Sequence, residues 1–369
     1  MRRFISGLLS IASLSSVPVS LSQSHPAAPP SKPASTTAKP AQTTTHGGSN
    51  LRLEIVSSVK LSQVETSMLV TPLKCDGDGN VYLRNDIDSE SGIQKLNEKG
   101  KQVATFRAAA STDLGELPEI DATGDFSVAE DGQVYVLVHT HSRERYVFVY
   151  AKDGTYKSKI RLDPGPVWQP KFLSVFPSGN LLVVGEKWQR ATQDYAPFSG
   201  IFSSDGTLLK ELTLEDDEAI YKYTTSGDPK FMEHPGNNKA IGKGGMAAAS
   251  DGNIYIMRWL SPAVIYAVSP GGETIRRFTV DPGDAGLMPS GMYIAGNRLA
   301  LEFHDSNIRD KKVIEVVDLE GKKIATYSYP SIDGKPFAFL TICYSENPER
   351  FTFLQFLDEN QSALSTAEP

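Results

Sequence analysis

The chain has 369 residues, of which 40% are hydrophobic, and a formal net charge of -7 at pH 7. Its lysines and arginines are scattered, which argues against nucleic-acid or anionic-membrane partners, because phosphates are bound by concentrated basic patches. Only two cysteines are present, Cys75 and Cys343, so stability must come from a hydrophobic core and not from a disulfide framework.

Residues 1–22 are predicted to be a secretory signal peptide. Arg2 and Arg3 form a charged start, and Phe4–Leu14 is an apolar run too short to span a bilayer. A short membrane anchor is the alternative. No later segment approaches about 18 uninterrupted apolar residues, so we expect a secreted or periplasmic chain whose mature part has no transmembrane segment.

Residues 23–50 are rich in Pro, Ala, Ser and Thr and contain almost nothing that could build a core. This composition favours an extended, disordered linker. We therefore expect the folded domain to begin at Leu51, held by this linker away from a surface or a partner.

The folded part opens with KCDGDGNVYLRND, in which acidic residues alternate with glycines. A calcium loop of the DxDxDG type needs a glycine at its sixth position and a carboxylate at its twelfth. Counted from Asp76, these positions hold Val81 and Ile87, so the segment does not fit such a loop. It matches later segments of the chain instead, which makes it the first copy of a repeat.

The repeat consists of two alternating β-hairpin patterns, each with a tight turn that ends in glycine and is followed by alternating apolar residues. The turn glycines of the first pattern are Gly79, Gly132, Gly179, Gly252 and Gly296. Those of the second pattern are Gly100, Gly154, Gly206, Gly272 and Gly321. Two hairpins make a four-stranded antiparallel sheet, and a repeat of about 45 to 50 residues is typical of propeller blades.

A sixth unit is incomplete. FAFLTICYS and RFTFLQF flank a polar turn at Glu346–Glu349, and residues 358–369 are then expected to form a polar tail. The missing outer strand is predicted at Leu51–Ser62, where pairing into the last blade would remove exposed sheet edges. The sequence thus predicts an all-β fold over residues 51–357: a six-bladed β-propeller of four-stranded antiparallel blades, closed by the N-terminal strand. Whether the closing blade has three strands or four stays open.

The rhythm of SDGNIYI at residues 250–256 and SDGTLL at residues 204–209 resembles the NHL-repeat and TolB-like six-bladed propellers. This resemblance implies the same fold over residues 51–357. It is compatible with several functions, because this superfamily includes protein-interaction modules, lactonases and amidating lyases. The lactonase relatives hold a divalent metal with Glu, Asn and Asp, but their motifs cannot be matched here residue by residue.

The candidate binding site lies six to nine residues after each first-pattern glycine, where the second strand of a blade ends. In a propeller these positions surround one mouth of the central channel, and loops converge there on a concavity. The residues are polar, charged or aromatic, although a polar loop surface without a function would look similar. They are Asn85, Asp86, His139, His141, Lys187, Trp188, Arg258, Trp259, His304 and Asp305.

His139-Thr-His141 is the sharpest signal for a metal. Alternate residues of a strand share a face, so both imidazoles could reach one zinc or calcium ion, with His304 or Asp305 as a third ligand. The competing interpretation is that two histidines stand two residues apart by chance.

The longest insertion, Glu215–Gly245, connects an outermost strand to the next innermost one and is expected over the same mouth of the channel. Long loops in compact domains are usually functional or disordered, so it is either a lid or a surface loop.

Cys75 and Cys343 are expected near the turn ends of the innermost strands in the first and last blades. A disulfide would join these blades, but innermost strands diverge around a channel, and Cα atoms more than about 7 Å apart cannot be bridged. Free, partly buried thiols are therefore the favoured prediction.

Together these features predict an exported, monomeric binding module that recognises a protein, peptide or glycan through the mouth of its channel. The alternative is a metal-dependent hydrolase, lactonase or lyase with His139, His141 and His304 at the same place.

Overall fold

Six sheets formed by the described strands surround a central channel. A computed structural model describes residues 50–61, 69–85, 92–107, 120–140, 144–163, 168–190, 194–214, 241–284, 286–305, 311–332, 335–336, 339–358 and 361–369. In chain order the strands are β1 (Asn50–Arg52), β2 (Glu54–Leu61), β3 (Leu69–Cys75), β4 (Val81–Asn85), β5 (Ile93–Leu96), β6 (Gln102–Phe106), β7 (Ile120–Val128), β8 (Val134–Thr140), β9 (Arg145–Tyr150), β10 (Tyr156–Leu162), β11 (Trp168–Val175), β12 (Leu181–Gln189), β13 (Asp194–Phe202), β14 (Leu208–Glu211), β15 (Ile241–Ala248), β16 (Ile254–Arg258), β17 (Ala263–Val268), β18 (Thr274–Val280), β19 (Leu287–Ala295), β20 (Arg298–Asp305), β21 (Lys312–Asp318), β22 (Lys323–Ser328), β23 (Ser331–Ile332), β24 (Lys335–Pro336), β25 (Phe339–Glu346), β26 (Glu349–Asp358) and β27 (Gln361–Glu368).

Each sheet is one blade of a six-bladed β-propeller, as the repeats predict. Blade 1 is β3–β6, blade 2 is β7–β10, blade 3 is β11–β14, blade 4 is β15–β18 and blade 5 is β19–β22, all antiparallel. Blade 6 has the order β25-β26-β27-β2. The strands nearest the channel, β3, β7, β11, β15, β19 and β25, contact one another in this order and close the ring. The described residues contain no helix, and so none long and apolar enough to cross a membrane.

The core of the propeller lies between its blades. In the described part of the chain, six hydrophobic clusters each fill the space between two neighbouring blades. The second and third strands of a blade are buried on both faces and therefore have continuous apolar sequences, as in AVIYAV of β17. The outermost strands are polar on one side, as in TIRRFTV of β18, because that side faces solvent.

Blade 6 is closed by the N-terminal strand, and it has four strands. β2 pairs with β27 from Glu54 opposite Glu368 to Leu61 opposite Ser362. The predicted outer strand Leu51–Ser62 is in fact two strands, because β1 pairs in parallel with β22 at the edge of blade 5. The amide of Leu53, between them, donates to the carbonyl of Ser328 at 3.3 Å.

The expected polar tail at residues 358–369 is wrong. Most of it forms β27, which lies between β26 and β2 and contributes buried side chains such as Ala363, Leu364 and Ala367. The strand also buries Ser362 and Ser365, and the Ser365 hydroxyl lies 3.0 Å from that of Ser58. Small and hydroxyl-bearing residues build this strand, so it lacks the aliphatic alternation that identifies the others.

The prediction of free thiols is also wrong, because Cys75 and Cys343 form a disulfide. Cys75 ends β3 in blade 1 and Cys343 lies in β25 of blade 6, and these innermost strands are neighbours in the closed ring. Their Cα atoms are 6.0 Å apart, within the range that a disulfide spans. The strands have therefore not diverged at this end of the channel as much as expected.

Tyr150 is buried between blades 1 and 2, and its substitution tests the packing there. Its side chain is 1% exposed, and its hydroxyl has no hydrogen-bond partner among the described residues. A buried polar group without a partner costs about 1 to 3 kcal/mol, so Tyr150→Phe should raise the free energy of unfolding by about 1 kcal/mol. Tyr82→Phe is the matched control in the same cluster, because the Tyr82 hydroxyl donates to Asp76 Oδ2 at 2.8 Å. Urea denaturation should show opposite signs for the two variants, and a loss of stability in both would contradict the assignment.

Candidate functional site

The two faces of the propeller are built differently. The turn face, as we name it, carries the hairpin turns that follow the first strand of each blade and the third strand of blades 1 to 5. Nine of these turns share one hydrogen bond, from the turn glycine to the carbonyl three residues before it, as in Gly132 to Ala129 at 2.9 Å. The loop face carries the connections that follow the second strands and those between blades. The connections on the loop face differ in length more than the turns on the turn face do. Binding residues are often carried by such variable loops on a rigid scaffold.

The structure places the predicted site residues that it describes at the loop face, in five different blades. Asn85 ends β4, His139 lies near the end of β8, Lys187 and Trp188 near the end of β12, and Arg258 ends β16 with Trp259 after it. His304 and Asp305 end β20. Asp86 and His141 lie outside the described residues.

These residues do not all point to an open surface. Arg258 is 0% exposed, and its guanidinium carbon lies 5.4 Å from the ring centroid of Tyr266, within the cluster between blades 3 and 4. Asp305 is 7% exposed and lies 3.7 Å from the Lys311 ammonium group. Trp259 packs against the cluster between blades 4 and 5. Because successive residues of a strand face opposite blades, the predicted set is split between several blade junctions.

The ring does not bring the predicted metal ligands together. His139 belongs to blade 2 and His304 to blade 5, which stand on opposite sides of a six-membered ring, with the channel between them. Within the described ranges, there is no group of three or more His, Cys, Asp or Glu side chains placed to hold one ion. A metal site of the predicted kind would need ligands from outside those ranges.

A group of charged and aromatic side chains lies at the loop end of the junction between blades 3 and 4. Lys171 Nζ and Glu186 Oε1 are 2.6 Å apart, and both side chains are partly buried. β12 pairs with β13 without a register shift, so Glu186 and Trp188 project from the same side of the strand as Val184. Val184 and Tyr266 belong to the same hydrophobic cluster between blades 3 and 4, and Arg258 lies over the ring of Tyr266. We call Lys171, Glu186, Trp188 and Arg258 the junction cluster.

Sequence reasoning missed two members of the junction cluster. Glu186 lies seven residues after Gly179, inside the window of six to nine residues, but it was not singled out. Lys171 had no visible signal, because it lies at a register shift between Pro170 and Phe172 in β11. Such a bulge redirects a side chain, and it cannot be read from an alternating pattern.

The two residues that flank the longest insertion lie at this same junction. The insertion runs from blade 3, after Leu214, to blade 4, where β15 begins at Ile241. Leu214 and Ile241 are both buried in the cluster between these blades. The predicted insertion reached Gly245, but its last part is strand β15, and residues 215–240 lie outside the described residues.

The channel contains a cavity of about 120 Å³ that is lined by all six innermost strands. Its polar groups already join neighbouring blades: Ser127 Oγ accepts the Val175 amide at 3.2 Å, and the Tyr293 hydroxyl accepts the Ile342 amide at 3.2 Å. A cavity of this size has room for several water molecules. Small-molecule sites usually measure about 300 Å³ or more, so this cavity is too small for a sugar or a peptide.

A buried carboxyl lies apart from the junction cluster, between blades 5 and 6. Glu302 of β20 is 5% exposed, and burial raises its pKa to about 7. Interactions with Lys312, Tyr329 and Ser290 offset only part of the effect of burial. Glu302 is therefore a group whose charge changes near neutral pH, and sequence reasoning did not single it out.

Comparison with known proteins finds distant structural likeness. No known family model and no curated protein matches the chain. A solved structure of a protein of unknown function from Bacteroides caccae aligns with 14% identity and a TM-score of 0.44, over 73% of this chain and 84% of that chain. A protein assigned provisionally as a gluconolactonase aligns with 10% identity and a TM-score of 0.46, over 87% of this chain and 97% of that chain. At these values, no residue role or activity is carried over from either protein.

Proposed function

We propose that the chain is an exported binding module that recognises a protein, peptide or glycan through its loop face, centred on the junction cluster of blades 3 and 4. The observation that carries this proposal is the convergence at one junction of a partly buried ion pair, a buried arginine and a half-buried tryptophan. Tryptophan and arginine are the residues most often found at binding hot spots, where a desolvated surround strengthens each contact.

Three features support an interaction surface over a deep pocket. The channel cavity is too small for a substrate of sugar size. Lys187, beside the cluster, is half-buried with its ammonium group 5.3 Å from the Phe198 ring centroid, so its position is held by packing. β1 lies at the outer edge of blade 5, next to β22 and away from the channel.

The proposal also includes a family of propellers and a cellular location. The repeat rhythm supports membership of the NHL-repeat or TolB-like propellers. The signal-like start and the Pro-rich linker support a secreted or periplasmic, tethered domain.

Binding to a glycan array and to a displayed peptide library tests the proposal. Trp188→Ala should weaken binding to the recovered ligand at least about tenfold, which corresponds to about 1.4 kcal/mol. Lys187→Ala should also weaken binding, whereas Lys99→Ala, an exposed lysine on the turn face, should not. All three variants should melt within a few degrees of the parent. Equal losses at Lys187 and Lys99, or no binding to either panel, would count against a loop-face binding module.

A further inference from the structure

Blade 6 is completed by pairing between strands from distant parts of the chain, and β1, just before β2, also pairs with β22 of blade 5. β25, β26 and β27 come from the end of the chain, and β2 comes from its beginning. The pairing of β2 with β27, from Glu54 to Leu61, joins the two chain ends through hydrogen bonds and side-chain packing. Every other blade is one continuous stretch of chain, so only blade 6 can open without breaking a hairpin.

The disulfide closes the same ring by a second route. Cys75 and Cys343 are separated by 268 residues in sequence and join the innermost strands of blades 1 and 6. The chain from Cys75 through blades 1 to 5 to Cys343, completed by the disulfide, is a covalent circle around the channel. β2 and β27 are not part of that circle. In the oxidised protein, both the disulfide and the β2–β27 pairing therefore tie blade 6 to blade 1, whereas in the reduced protein only the pairing does so.

We propose that Cys75–Cys343 is a redox-sensitive closure of the propeller that duplicates the β2–β27 pairing. In the oxidised protein, β2 can leave the edge of blade 6 while the inner ring stays closed. In the reduced protein, loss of β2 lets blade 6 separate from blade 1. Either closure can hold the ring when the other is lost. Loss of both should therefore destabilise the protein by more than the sum of the two separate destabilisations.

Cys75 is the more accessible end of the disulfide. Its side chain is half-buried, whereas Cys343 is 5% exposed, and a cavity of about 40 Å³ borders both residues. A dithiol reductant would act by attack of one thiolate on Cys75 Sγ, with Cys343 leaving as a thiolate. The second thiol of the reductant then displaces Cys75, so that two electrons enter the protein and the reductant is oxidised to its own disulfide.

The test is a double-mutant cycle in the full chain. Cys75→Ala/Cys343→Ala removes one closure. Ser58→Pro/Val59→Pro weakens the other, because adjacent residues of a strand point their amides to opposite sides, so one of the two must donate towards β27. Ser158→Pro/Lys159→Pro makes the same change in β10, the outermost strand of blade 2, away from the closure.

When the two cysteine substitutions are combined with the two proline substitutions in β2, Tm should fall by at least about 5 °C more than the sum of the separate shifts. When they are combined with the two proline substitutions in β10, the shifts in Tm should be additive. If the β2 combination does not fold, the Ser58→Pro/Val59→Pro protein with intact cysteines serves instead. On addition of dithiothreitol, its β25–β27 amides should exchange with solvent faster than those of blade 3, whereas reduced wild-type protein should keep them protected. Additive shifts in both combinations, or uniform exchange after reduction, would overturn the proposal.

Discussion

Replacement of Gly154 by alanine should be among the most damaging single substitutions in the outer part of the propeller. Gly154 has a φ of +92°, and a Cβ atom there would lie 2.6 Å from the carbonyl oxygen of Thr105 in β6 of the preceding blade. The left-handed conformation costs an alanine about 1 to 2 kcal/mol. Relief of the overlap requires the backbones of two blades to move apart, so we expect a total loss of about 3 to 4 kcal/mol in the free energy of unfolding.

Gly252→Ala is the matched control for this substitution. Gly252 has nearly the same φ, +86°, but nothing lies within 4 Å of the added Cβ atom. It should lose only about 1 to 2 kcal/mol, the cost of the backbone conformation alone. Equilibrium unfolding in urea measures both values. If the two variants lose the same stability, the contact between the outer turn and the preceding blade contributes nothing.

Glu302→Gln should stabilise the protein at pH 8 and have little effect at pH 4. The folded-state pKa of Glu302 is about 7, above the ordinary value near 4.5, so the folded protein holds a proton that the unfolded chain releases. The contribution of this group to stability is fully present below pH 4.5 and is lost as the pH rises through 7. The shift corresponds to about 3 kcal/mol, because each pKa unit is worth about 1.4 kcal/mol.

Thermal or urea unfolding of wild type and Glu302→Gln from pH 4 to pH 8 measures this difference directly. Glu315→Gln is the control, since Glu315 is also buried with a raised pKa but accepts from the Lys323 ammonium group at 3.0 Å and from the Thr326 hydroxyl. Because the ion pair offsets part of the cost of burying the charge, Glu315→Gln should raise stability at pH 8 by less than Glu302→Gln does. A Glu302→Gln variant whose stability runs parallel to wild type across the range would show that the pKa of Glu302 is not raised in the folded protein.

The outer turns explain why the last blade needs the N-terminal segment. In blades 1 to 5, the turn after the third strand packs on the outermost strand of the preceding blade, as Gly154 packs on Thr105. Blade 6 has chain ends at that position instead of a turn. β1 and Leu53 occupy it, with Leu53 donating to Ser328 on the outermost strand of blade 5. The closing strand therefore also supplies the contact between blades that the missing turn would have made.

The sequence alone determined the repeating unit and its position. Each hairpin turn is a local structure whose glycine and polar residues are set by backbone geometry, so Gly79 to Gly321 identified the inner and outer hairpins of five blades and the β25–β26 turn identified the sixth. From the order of strands within a hairpin, the sequence also placed Lys187, Trp188 and Trp259 at the loop face.

The tertiary structure decided what depends on contacts between residues that are distant in the chain. The Cys75–Cys343 bond depends on the closing of the whole ring, which sets the distance between β3 and β25. β27 is a strand because β26 and β2 offer it an edge on each side, and its Ser- and Ala-rich sequence has little strand preference of its own. The burial of Arg258 and the pairing of Lys171 with Glu186 depend on how blades 3 and 4 meet and on a bulge in β11. Local patterns specify turns and strand faces, whereas junctions between blades are specified by packing, which no single stretch of sequence encodes.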